Sequence, residues 1–126
     1  MLQHQIEKLT KDIKKSEEDI QDRKYRKVDI HSSKYVLLAN NYKKLFDKTK
    51  DDKHFDSSID AINQAIDLSP FDFQYSARRA DYYIEVDKYE KAKEDIDSIR
   101  DKTNLLSGLE KIYVEMIVRK FDTKYK

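Results

Sequence analysis

Glycine and proline each occur once in this 126-residue chain, at Gly108 and Pro70. β-rich domains of that length depend on many tight turns, which draw on glycine for positive φ and on proline for a preset φ. With so little of either, the chain reads as helices joined by a few short connections, and its abundance of Lys, Glu, Asp, Ile and Leu agrees. The expected fold class is therefore all-α. The length corresponds to one domain, or one domain with an extension, large enough to bury a core that needs no staple.

Charged residues make up 40% of the chain, yet the formal net charge is only +1. That balance describes a solvated coat of mixed sign. A duplex nucleic-acid binder carries a basic excess, because phosphate neutralisation dominates its affinity, so the composition argues against a nucleic-acid partner. Cysteine is absent, which removes disulfides, thiolate nucleophiles and cysteine metal sites. The opening residues MLQHQIEKLTKDIKK hold acidic groups and no apolar run of signal-peptide length. No stretch approaches the roughly 18 apolar residues of a membrane span. A cytoplasmic protein with no membrane span is the expectation.

Along the chain, apolar residues fall at Leu2, Ile6, Leu9, Ile13 and Ile20 amid Lys, Glu, Asp and Gln. This heptad-like spacing predicts an N-terminal amphipathic helix within residues 1–31. Such a seam serves two ends: a short coiled coil, giving a homo-oligomer through residues 1–30, or packing back on the chain's own domain. Residues 21–31 lose the register and read as the helix end or a bend. Ser32 and Ser33 offer an N-cap for a helix over about 34–49, with Tyr35, Leu38, Ala39, Tyr42, Leu45 and Phe46 on one face. The wholly polar run 47–54 reads as a loop. Asp56 or Ser57 then caps a helix carrying Ile59, Ile62, Ala65, Ile66 and Leu68, ended by Ser69-Pro70, because the residue before proline is pushed out of the α region. A further helix begins near Asp72 and breaks at Val86-Asp87, and the next carries Tyr89, Ala92, Ile96 and Ile99. After a loop at 101–104, a last amphipathic helix carries Leu105, Leu109, Ile112, Tyr113, Met116, Ile117 and Phe121.

The two central helix pairs repeat a pattern. Each has a small residue three before a tyrosine on its first helix, Ala39 with Tyr42 and Ala80 with Tyr83. Each opens its second helix with an aromatic (Phe55, Tyr89), then a small residue three on (Ser58, Ala92) and an isoleucine four further (Ile62, Ile96). In this order of small and large positions the chain resembles the tetratricopeptide repeat. Tyr35, Leu38, Ala39, Tyr42, Phe55, Ser58, Ile62, Ala65 and Pro70 fill the family's places in the first repeat. Ala80, Tyr83, Tyr89, Ala92 and Ile96 fill them in the second, where Ser76, Arg79 and Ile99 depart from the usual types. The resemblance implies a superhelical array of antiparallel hairpins, with repeats at 32–72 and 73–104 and a capping helix at 105–121, together a domain over 32–126. Small residues let paired helices approach closely, and large ones fill the gaps between them.

The resemblance also implies a partner-binding groove lined by the first helix of each hairpin. Its inward positions are Val36, Asn40, Lys43 and Lys44 in the first repeat and Gln74, Arg78 and Asp81 in the second. Asn40 stands directly after the small residue, where family members that grip a peptide's terminal carboxylate use asparagine, and Arg78 suits bidentate carboxylate recognition. Val36 replaces a lysine of those members and Arg78 a second asparagine, so a generic groove for an extended or helical segment is the expectation.

Other chemistry finds little footing. His4, His31 and His54 lack the spacing that sets two imidazoles on one helix face. A single glycine leaves no phosphate loop or nucleophile elbow. The cluster Arg23–Lys27 is offset by Asp19, Asp22 and Asp29. Tyr25, Tyr82 and Tyr125 read as the exposed tyrosines. No cofactor, metal or catalytic residue is expected. A non-catalytic protein-interaction scaffold binding another protein or peptide segment is the functional expectation, with self-association through the N-terminal helix as the alternative.

Overall fold

The computed structural model describes residues 2–126, so Met1 of the expected N-terminal helix lies outside the described residues. Within them the chain is all-helical and has no strand: α1 (Leu2–Tyr25), α2 (Ser32–Thr49), α3 (Asp52–Leu68), α4 (Phe73–Glu85), α5 (Tyr89–Arg100) and α6 (Gly108–Lys124), with a 3-10 turn at Thr103–Leu105 before α6. The chain divides into two compact units, the first ending at Ser69 and the second spanning Pro70–Lys126.

In the first unit α2 and α3 form an antiparallel hairpin. Ser69 Oγ lies 3.1 Å from Ser32 Oγ at one end, and the rings of Phe46 and Phe55 meet edge to face at 5.3 Å at the other. Ala39, Ser58, Ile62 and Ala65 have no solvent exposure. Ser58 fits among them because its hydroxyl donates to the Phe55 carbonyl at 2.7 Å, which satisfies the one polar atom it brings into the core. α1 lies along α2 in this unit, with Ile13 and Ile20 buried. Lys34 holds Asp19 at 2.9 Å, Tyr42 donates to Glu17 at 2.7 Å and Lys48 to Gln5 at 2.8 Å. Two of the five seam residues are thus spent inside the unit, while Leu2 is exposed and Ile6 and Leu9 are half-buried.

The polar run 47–54 is not the expected loop. α2 continues to Thr49 and α3 starts at Asp52, leaving Lys50 and Asp51 as the whole connection. Lys50 takes the left-handed conformation (φ 58) and its N–H returns to the Phe46 carbonyl, while Asp51 caps α3 by accepting from the Lys53 N–H at 3.0 Å. Caps on both sides let a helix end on polar residues with no apolar neighbours to hold them. The cap of α2 is likewise His31, whose Nδ1 accepts from the Ser33 N–H, and not Ser32 or Ser33.

In the second unit Ala77, Ala80, Ile84, Ala92, Ile96, Ile99, Val114, Ile117 and Phe121 make one core cluster. α4 and α5 pair as a hairpin and α6 packs on both. Tyr82, read from the sequence as exposed, is buried, because its position falls on a second flank of α4 that carries Tyr75 as well. Burial pushes the Tyr82 phenol up to about 12. Burial and the bond to Glu17 do the same for Tyr42, and the hydrogen bond that Tyr125 donates to Asp87 does so for Tyr125. All three ionise near 10.0 when unperturbed, so the fold favours their neutral form. That contribution is whole below pH about 10 and is lost as pH rises through about 12. Base titration followed at 295 nm and by far-UV circular dichroism should show helix lost in this window. Full tyrosine ionisation near pH 10 with intact helix would contradict it.

Candidate functional site

The sequence-predicted residues fall on α2 in the first unit and on α4 in the second. Around α2, the flank carrying Lys34, Asn41 and Lys48 receives α1, and helical steps of about 100° turn Val36, Asn40 and Lys43 away from it, while Lys44, two turns on from Leu37, stands at its edge. Val36 and Asn40 are half-buried and Lys44 is exposed. Lys43 is buried, with its ammonium 2.7 Å from the Asp47 carboxylate one turn on, so its charge is spent locally.

On α4, Gln74 donates to Asp72 at 2.8 Å, at the helix start. The Arg78 guanidinium sits over the Tyr113 ring of α6, 5.4 Å from its centre. Asp81 takes Lys120 of α6 at 2.6 Å, and Lys120 also reaches Glu85 at 3.7 Å. Arg78 and Asp81 are therefore part of the α4–α6 contact, held in place by groups of their own unit. Preorganised side chains of this kind lose little rotamer freedom when a ligand arrives.

Two surface features had no place in the sequence reading. One is a cleft of about 510 Å³ between α1 and α2, lined by Asp12, Lys15, Ser16, Asp19, Leu37 and Asn41. Leu37, about half exposed, is its apolar floor; an apolar residue off the core phase of α2 was the available signal. The other is on α6. Leu105, Leu109, Ile112 and Met116, read from the sequence as core, are 70%, 84%, 63% and 50% exposed. α6 is apolar on two faces, and the one built from Val114, Ile117 and Phe121 packs inward. A sequence that is apolar on both sides of a helix does not say which side wins.

Family models, curated proteins and solved structures, each compared with the chain, give no match. Among the described residues no group of three or more His, Cys, Asp or Glu is placed to hold a metal ion, and no helix is long and apolar enough to cross a membrane. His31 is a helix cap and His54 stacks on Tyr42 with ring centres 6.4 Å apart. The basic cluster is balanced as expected, with Arg23 3.4 Å from Asp19 and Arg26 3.5 Å from Asp22.

Proposed function

We propose that this chain is a non-catalytic interaction module of tetratricopeptide-like hairpins that takes a segment of another protein on the α2 flank bearing Val36, Asn40 and Lys44. One observation carries the reading: the small positions that define the repeat, Ala39, Ser58 and Ala65 in one hairpin and Ala80 and Ala92 in the other, have no solvent exposure. Such burial is what close helix approach in the repeat pattern requires, and it supports a partner seat on the face of α2 that α1 leaves uncovered. There Val36 offers an apolar contact, Asn40 an amide that donates and accepts, and Lys44 a cation in water. Such a mix suits the polar backbone and occasional carboxylate of an extended segment.

The test replaces Val36, Asn40 and Lys44 together with Ala, sparing Lys43 and Arg78 because the unit uses them structurally. The variant is expected to keep its helical circular-dichroism signal and lose the proteins that the unaltered chain captures from native lysate. Undiminished capture would remove α2 as the binding face.

A further inference from the structure

Asn41 is only 8% exposed, and among the described residues its amide makes no hydrogen bond. The amide is not sealed off, because Asn41 lines the cleft of about 510 Å³ between α1 and α2. A primary amide brings two donors and an acceptor, and burying them unmet costs the fold free energy. Such a group calls for an explanation, and an open cleft in front of it supplies one. Lys34 meets Asp19 and Lys48 meets Gln5, so α1 and α2 run antiparallel, with Leu37 level with Ser16 and Asn41 level with Asp12. Leu37 and Asn41 stand one turn apart on the same face of α2. On the α1 wall, Asp12 is held by Lys8 at 3.4 Å and Asp19 by Lys34 at 2.9 Å. Lys15, on the same wall, makes no ion pair among the described residues.

We propose that this cleft seats an extended peptide segment, which pairs the backbone N–H and C=O of one residue with the Asn41 amide, lays an aliphatic side chain on Leu37 and sets a carboxylate beside Lys15. The N–H and C=O of one residue point the same way in an extended backbone, as they do in a strand ladder, and match the amide's own acceptor and donor. A helix spends those groups internally and leaves the amide unanswered. A nucleotide fits poorly: no aromatic ring lines the cleft to stack a base, and two helix sides offer no row of free N–H groups to a phosphate. The carboxylate follows from charge, since Lys15 is the one ionic group of the lining without an opposite charge beside it. The volume lies within the roughly 300–1,000 Å³ of ligand clefts. This seat is on the α1 side of α2 and is independent of the one that includes Val36 and Asn40.

The test titrates the isotope-labelled full chain with blocked hexapeptides that alternate Val and Thr, β-branched residues that favour extension, with one Glu placed at each position in turn. The Asn41 side-chain amide and the Leu37 methyl resonances should shift saturably with at least one of them. N-methylation of that peptide's middle residues, which removes its backbone donors, should weaken binding by about tenfold or more, as should Asn41→Leu. Asn41→Leu should also raise the melting temperature, because it takes an unpaired amide out of a buried place. Lys15→Glu should reverse the preference for Glu over Lys in the same peptide. Val36→Ala with Asn40→Ala should leave binding in the cleft unchanged, and its loss there would move the peptides to the other seat. No shift at Asn41 with any of the peptides at millimolar concentration would overturn the proposal. So would binding indifferent to N-methylation and to Asn41→Leu, or a lower melting temperature for Asn41→Leu. A bound peptide with helical transferred NOEs would overturn it as well and give the cleft to a helix.

Discussion

Arg79→Ala is expected to lower the stability of the second unit by about 3 kcal/mol or more, the range for removing one partner of a buried ion pair. The Asp95 side chain is 6% exposed on α5, and Arg79 reaches across from α4 to bind both carboxylate oxygens, at 2.6 and 2.9 Å. Burial pushes the Asp95 carboxyl up, against the pull of the guanidinium. Without Arg79 nothing offsets that burial, and Asp95 takes up a proton or the helices part to admit water. Arg79→Lys keeps a charge but loses the planar fork and should fall between. Replacing both partners, Arg79→Met with Asp95→Leu, should recover most of the loss, because apolar pairs of similar volume often match or exceed a buried ion pair. The control is Arg100, which also binds both carboxylate oxygens of Asp122 of α6, through Nη1 and Nη2 at 2.9 and 2.7 Å, but with both side chains about half exposed. Arg100→Ala should cost less than about 1 kcal/mol. Urea denaturation followed by circular dichroism measures both, and equal losses at the two sites would show that burial does not set their energies.

Ile62→Ala is the second large effect, about 2–5 kcal/mol from the first unit. Ile62 has no exposure and shares one face of α3 with Ser58 and Ala65, which are fully buried as well. Truncation removes buried methyl groups and leaves a hole that paired helices, already in close approach, can close only in part. The complementary change, Ala39→Leu, inserts volume where the pattern calls for a small residue and should cost about 1–3 kcal/mol. Leu37→Ala, on the same helix but half exposed, should move stability by less than about 0.5 kcal/mol. If Ala39→Leu were as mild as Leu37→Ala, the helices would not be in close approach at that point, and the repeat reading would lose its physical basis.

What was legible beforehand follows from burial periodicity. The scarcity of Gly and Pro gave an all-helical chain. The small and large positions of residues 35–65 and 80–96 gave two hairpins whose alanines are fully buried, because a helix written with small residues on one line can only be approached closely along that line. Pro70 gave the end of α3. The break at Val86-Asp87 was legible, but other helix ends were less so, since α1 and α2 turn on non-glycine residues with positive φ, Lys27 and Lys50, as α4 does on Asp87. Glycine is the usual marker of such a cap, and here lysine and aspartate take the strained conformation without announcing it. The candidate site was legible only in part. Asn40 lies on a flank of α2 away from α1 and Lys44 at the edge of the α1 flank, but the burial of Lys43 and the hold of α6 on Arg78 and Asp81 come from neighbours distant in sequence.

The amino-acid sequence by itself determined the helices, their pairing into hairpins and the identity of the close-approach residues, all of which rest on periodicity within about forty residues of chain. Only the tertiary structure decided which apolar face of α6 is core and which meets water, that α1 packs along α2, and that Arg79 and Asp95 share a charge out of solvent. Each of those is a choice between competing partners, and a choice of partner depends on what the rest of the fold brings within reach.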